Sequence, residues 1–233
     1  MIKKVFFFFF SLISLCFYSS CKHEDESPID LGYEYFPVNV GHWVVYDVDS
    51  TYYYDFSDTV INFHYQVKEK IESVFLDNQN MVTQRVERYK RYDSSDWYLV
   101  DVWTTNISAS SAVRTEDNIQ FIKLIFPVIS NKSWNGNALN YMNSVGYPDY
   151  KYSNVFDPYD ANGVNFDSTV TVIQNTESIP FINENNQIEV YAKNIGMIYK
   201  RYKQLNFTFN YQTQDTLIKG ADYTYKIIDF GNY

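Results

Sequence analysis

The chain has little of what builds metal centres or covalent staples: two cysteines and three histidines in 233 residues. Cys16 lies within an apolar N-terminal run and Cys21 just beyond it. Once that run is removed, one cysteine remains. That excludes a disulfide framework, a cysteine-based metal site and a catalytic thiol inside the fold. His23 precedes the body, which leaves His42 and His64. A zinc site or a histidine-relayed nucleophile needs partners that this spacing does not supply. Both read as ordinary strand or surface histidines. Positive charge is also scarce. The net charge of −9 disfavours nucleic acid and anionic membrane surfaces as partners. Helical periodicity is missing too: no long segment repeats apolar residues at i, i+3, i+4 and i+7 between caps. A short helix at residues 119–129 is opposed by Pro127 and by β-branched residues.

What is present begins at the N-terminus. Lys3 and Lys4 precede an uncharged run, residues 5–18, with Phe6 to Phe10 consecutive. A positive start, a short apolar stretch and small residues at its end make a secretory signal. The run is shorter than the roughly 20 residues a membrane-spanning helix needs. Residues 1–20 therefore read as a signal peptide, 21–34 as a lipidated N-terminus and flexible tether, and 35–233 as a single β domain. About 210 mature residues are enough for one sizeable core.

The border itself reads "FYSSCKHEDE", residues 17–26. It resembles the lipobox of bacterial lipoproteins. In that motif small residues, here Ser19 and Ser20, precede a cysteine that takes a diacylglyceryl group and further acyl chains such as palmitate. Tyr18 departs from the leucine-like residue usual three places before the cysteine. Cys16 competes less well, because Leu15 beside it is too large. Each buried methylene contributes about 0.8 kcal/mol, so two or more chains on Cys21 hold firmly. Lys22 followed by acids resembles the surface-export signal of Bacteroidota lipoproteins. The resemblance implies an outer-membrane lipoprotein, exposed at the cell surface.

Beyond the tether the dominant period is two. Ile61, Phe63, Tyr65, Val67 and Ile71 share one face of a long strand. Asn62, His64, Gln66, Lys68, Lys70 and Glu72 share the other. "DNQN" at 77–80 and "DSSD" at 93–96 are turn chemistry. Further strands are predicted at 81–92, 97–106, 112–116, 119–126, 164–173, 195–202, 205–211 and 223–230. Aromatics are 19% of the chain, which suits pleated surfaces. The expected fold is all-β: a strongly curved antiparallel sheet of roughly ten strands with little helix, half-barrel or barrel-like.

The opening "YFPVNVGHWVVYDV", the middle "WNGN" and the late "VYAKNIGMIYKRY" resemble a set of exported bacterial domains without an assigned activity. Similar ends occur in chains that look like periplasmic lipoprotein carriers. That likeness implies a half-barrel around a closed apolar cavity.

Several constellations were candidates for chemistry. "DPYDANGVNFD" at 157–167 is oxygen-rich, but Pro158 and Thr169 fall where an EF-hand needs acids. It reads as a turn between strands. Asp47, Asp49, Glu87, Asp93, Asp96 and Asp101 read as acids on strand faces rather than a glycosidase pair. Ser50, Thr59, Ser168 and Thr216 each follow an aspartate in a triplet resembling the Bacteroidota O-glycosylation acceptor. Tyr52, Tyr53, Tyr54, Tyr147, Tyr150 and Tyr152 are expected in contact loops, where tyrosine offers a flat face and a hydroxyl. No cofactor, metal or catalytic residue is expected. The function expected is a membrane-anchored binding module for a lipid, glycan or partner protein. The alternative is an accessory subunit of a surface complex, and a hydrolase is more remote.

Overall fold

The computed structural model describes residues 30–54, 59–211 and 214–233. The expected signal peptide, Cys21 and the expected tether as far as residue 29 lie outside them. A compact unit runs from Leu31 to Tyr233, so residues 31–34, expected in the tether, belong to the body. A 3-10 turn at Tyr33–Tyr35 opens it, and Val128 N–H donates to Leu31 O at 3.1 Å.

Among the described residues twelve strands follow, close to the roughly ten expected: β1 (His42–Tyr54), β2 (Thr59–Leu76), β3 (Val82–Arg91), β4 (Tyr98–Ile107), β5 (Ser111–Glu116), β6 (Ile119–Ile125), β7 (Ser133–Trp134), β8 (Tyr150–Ala161), β9 (Val164–Asn175), β10 (Asn183–Ala192), β11 (Gly196–Asn210) and β12 (Asp215–Asn232). Among the described residues the only helical elements are the 3-10 turn above and another at Tyr141–Val145. All twelve strands form one antiparallel sheet, ordered β6-β5-β4-β3-β2-β1-β12-β11-β10-β9-β8-β7. The topology is two meanders, β1–β6 and β7–β12, joined where β1 pairs with β12. The sheet curves into a nearly closed barrel.

Local chemistry places the turns. Asp77 Oδ1 accepts from the backbone N–H of Gln79 and Met81 at 2.8 and 2.9 Å, which closes the β2–β3 hairpin. Asn162 and Gly163, at φ 58° and 79°, supply the two left-handed positions of a tight β8–β9 hairpin. The oxygen-rich stretch at 157–167 is therefore hairpin. Gly220 on β12 faces Leu205 on β11. Its φ is 142°, and a Cβ there would sit 1.9 Å from Gln204 O. Only glycine lets the two strands approach at that point.

The sheet's two edges meet across a seam built from single bonds. Trp134 Nε1 donates to Ile122 O at 2.8 Å, and Ile122 N–H donates to Gly136 O at 2.9 Å. The Tyr152 hydroxyl receives the Ile125 N–H and donates to the Ile125 carbonyl, both at 2.8 Å. Behind the seam a core packs Leu124 and Ala112 against Trp134, Tyr150, Tyr152, Val170 and Val172. A second core gathers Val44, Tyr46, Val48, Val67, Val190, Ile198 and Ile227 around the β1–β12 joint.

Residues 195–202 and 205–211, expected as two strands, form the single β11. On β2 the alternation holds through Val67 and Ile71, which are buried, but Ile61 and Phe63 are exposed.

Candidate functional site

Strand alternation sends every second side chain into the barrel. In most of the molecule these are apolar or aromatic. Through the middle they are charged. Glu69, Arg88 and Asp101 are cross-strand partners on β2, β3 and β4. Arg88 Nε lies 3.1 Å from Glu69 Oε1, and Arg88 Nη1 lies 3.2 Å from Asp101 Oδ2. Arg114 on β5 reaches past two strands to Glu69 Oε2 at 2.8 Å. Burial disfavours charge on both guanidinium groups, but Glu69 overcomes it and holds both above their ordinary range.

A second cluster lies towards the barrel end where β6, β8, β10 and β12 begin. Glu189 on β10 is fully buried. Its Oε1 takes Lys123 Nζ of β6 at 2.7 Å and Lys200 Nζ of β11 at 3.1 Å. Its Oε2 accepts from the Tyr191 hydroxyl at 2.6 Å. Lys123 also reaches Glu116 Oε1 at 3.2 Å. Burial alone would raise the Glu189 carboxyl, but Lys123 and Lys200 together hold it well below the ordinary carboxylate range. Glu116 is lowered in the same way. Burial likewise works against the Lys200 ammonium, and Glu189 holds it well above the usual lysine range. In Glu189, Glu116 and Lys200 alike, the opposite charges nearby favour the charged form.

Above this cluster opens a pocket of about 180 Å³. Glu116, Lys123 and Lys200 form its floor, and Tyr150, Tyr202 and Tyr223 its aromatic wall. Tyr202 and Tyr223 are cross-strand partners, stacked at 4.7 Å and 8°. The amides of Asn137, Gln174, Asn175, Gln187 and Gln204 line it, and Met142, Tyr147 and Pro148 of the β7–β8 connection overhang it. Gln187 Nε2 is buried with no hydrogen-bond partner. At the opposite end an open groove of about 620 Å³ lies between residues 33–39 and the β4–β5 turn.

The apolar chamber expected of a lipoprotein carrier is not what fills this interior. Two buried ionic clusters cross it, and the mouth pocket is floored by charge. An acyl chain there would strand ions against hydrocarbon.

The expected sites scatter. Cys21 lies outside the described residues. Ser50 points into the barrel and is buried. The Ser168 Oγ is half-buried, 2.6 Å from the Tyr35 hydroxyl. Thr59 and Thr216 are exposed near the starts of β2 and β12. Tyr52, Tyr53 and Tyr54 are not in a loop but close β1, with Tyr52 and Tyr53 half-buried. Tyr150 and Tyr152 are not in a loop either. They open β8 and are buried, because the strand alternation turns both inward against Trp134. Tyr147 is exposed at the pocket mouth.

His42 is buried, with Nε2 donating to Ile195 O at 2.9 Å. His64 is exposed on β2 beside Asp49 at 2.9 Å and Asp47 at 3.4 Å, which raise its pKa, the Asp49 hydrogen bond most. Among the described residues no group of three or more His, Cys, Asp or Glu could hold a metal ion. Sequence reasoning missed Glu69, Arg88, Arg114, Lys123, Glu189 and Lys200. The signal was a charged residue in an inward row, such as Glu69 between Val67 and Ile71.

No family model matches this chain, and no curated protein matches it. Two solved structures align with 84% of this chain and 98% of their own. One is a candidate exported protein with a YmcC-like fold from Bacteroides fragilis, at 8% identity and a TM-score of 0.36. The other is a candidate lipoprotein from Parabacteroides distasonis, at 10% identity and a TM-score of 0.32.

Proposed function

We propose that this chain is an outer-membrane lipoprotein, held by a lipid on Cys21 and exposed at the cell surface, whose barrel mouth binds one saccharide unit of a glycan. The mouth pocket carries the reading. A volume of about 180 Å³ equals the bulk share of about six waters at roughly 30 Å³ each. That suits a sugar ring. Tyrosine faces pack against the apolar face of such a ring, and side-chain amides exchange hydrogen bonds with its hydroxyls. The floor offers fixed ions rather than a proton-bearing carboxyl, which favours binding over hydrolysis. The binding test is calorimetric titration of the purified full chain with mono- and oligosaccharides. Saturable binding that weakens in Tyr202→Ala supports the reading, and no binding of any saccharide overturns it. The anchor has a separate test. Cys21→Ala should move the protein from the membrane fraction to the soluble one, and unchanged membrane retention rules Cys21 out.

A second reading, an accessory subunit of a surface complex, draws on the β9–β10 turn. There Phe181 is 95% exposed at φ 64°, flanked by exposed Ile179 and Ile182. A bulky residue so displayed and so strained suits a contact. Cross-linking in intact envelopes through position 181 tests it. A defined adduct supports a partner, and no adduct counts against one.

A further inference from the structure

We propose that the mouth pocket selects an N-acylated amino sugar, whose amide carbonyl is taken by Gln187 Nε2 and Lys200 Nζ. This rests on the saccharide reading above and names its ligand class. The argument is hydrogen-bond accounting. Several acceptors in the pocket wall are engaged: Glu189 by Lys123, Lys200 and Tyr191, and Glu116 Oε1 by Lys123. Gln204 Oε1 accepts from the Tyr202 hydroxyl. Beside them stands open donor capacity. Gln187 Nε2 is buried and unpaired. Lys200 carries three N–H donors and has one carboxylate oxygen near it, Glu189 Oε1 at 3.1 Å. The two groups are neighbours. Gln187 pairs with Tyr202, and Glu189 with Lys200, on adjacent strands, so Gln187 and Lys200 lie one diagonal step apart on the inward face.

A wall with spare donors calls for an acceptor, and its charge says which kind. Lys123 and Lys200 are balanced by Glu116 and Glu189, in a chain of net charge −9. A uronate would bring an uncompensated charge into a neutral, half-buried site. An amide carbonyl brings acceptor strength without charge. Its methyl group would meet apolar lining such as Phe121 or Met142. A plain hexose hydroxyl has no such methyl group to bury there.

The test is calorimetric titration of the purified full chain with N-acetylglucosamine, glucose and glucuronate, repeated in Gln187→Leu. N-acetylglucosamine should bind about tenfold more tightly than glucose, the ratio expected for one well-made buried hydrogen bond. Gln187→Leu should erase most of that preference while the thermal melt shows it folded. Lys200→Arg, which keeps the charge for Glu189 and alters the donor geometry, should weaken the preference too. Equal affinity for the three sugars, or preference for glucuronate, overturns this inference and leaves the saccharide reading standing. A preference unchanged in Gln187→Leu overturns the residue assignment. Failure of every saccharide to bind overturns both.

Discussion

Lys123 Nζ lies 2.7 Å from Glu189 Oε1, and the bond spans the barrel interior from β6 to β10. The two residues are 66 positions apart and their strands are not neighbours in the sheet. The edges of the sheet share no continuous ladder, so this ion pair and the seam bonds take the place of one. Apart from the Ile122–Gly136 backbone bond, closure therefore rests on side chains, and it should respond to single substitutions.

Glu189→Gln tests the pair directly. It removes the anion shared by Lys123 and Lys200, both largely buried. Breaking a buried pair from one side costs about 3–5 kcal/mol. Urea unfolding at neutral pH should show a loss of that size. A loss below about 1 kcal/mol, the scale of an exposed pair, would mean that water reaches the cluster.

Acid should act on the same groups. Glu189 and Glu116 have folded pKa values below their ordinary value of 4.5. The unfolded chain therefore binds protons first as pH falls. Their contribution is fully present above about pH 5 and is lost progressively below 4.5. Midpoints of urea unfolding measured from pH 7 down to 3 should fall along that course. In Glu189→Gln the fall should be shallower. An equal slope would assign the acid sensitivity to other carboxylates.

Much of the fold could be read from alternation, and the misses have physical causes. The inward row of β2 was visible because Val67 and Ile71 stand four places apart on one face, with Gln66, Lys68, Lys70 and Glu72 beside them on the other. Glu69 broke that row and was passed over as polar, although it is the buried anion for two arginines. β8 was hidden by bulges at Asn154 and Phe156, where φ is positive and the alternation slips. β10 was hidden because its first half, Asn183 to Gln187, is all polar. No alternation marks that stretch as a strand, yet Gln187 lines the pocket from within one. Of the tyrosines expected in contact loops, Tyr147 lies exposed at the mouth and Tyr150 is buried in β8. The lysines and glutamates beneath them were not legible, because their pairing depends on a closure that local periodicity does not encode.

Tyr152→Phe isolates the seam. The hydroxyl serves both backbone groups of Ile125 at 2.8 Å, and Tyr152 is fully buried. Phenylalanine fills nearly the same space and leaves the Ile125 N–H and carbonyl without this partner. The expected cost is about 1–3 kcal/mol, the penalty for unsatisfied buried groups. Amide exchange at Ile125 should accelerate relative to the β1–β12 joint, which has its own ladder. Equal protection at both places would show that the seam is held by packing alone.

Gly220→Ala probes the tightest approach in the barrel. A methyl group at this position would lie 1.9 Å from Gln204 O and 3.0 Å from its carbonyl carbon, both backbone atoms that cannot swing aside as a side chain can. The residue also sits at φ 142°, a conformation that L residues with a Cβ avoid. The strands must separate or β12 must shift register at Leu205. Both responses disturb the stacked Tyr202–Tyr223 pair, three positions from Gly220 along β12. Circular dichroism should therefore show a loss of near-ultraviolet tyrosine signal together with a thermal midpoint lowered by several degrees, since about 1 kcal/mol shifts a domain of this size by roughly 2–4 °C. Gly163→Ala is the matched control: nothing lies within 4 Å of the Cβ it would add, so the substitution carries the φ penalty without the clash. A Gly220→Ala midpoint no lower than the control's would show that the β11–β12 contact yields without cost.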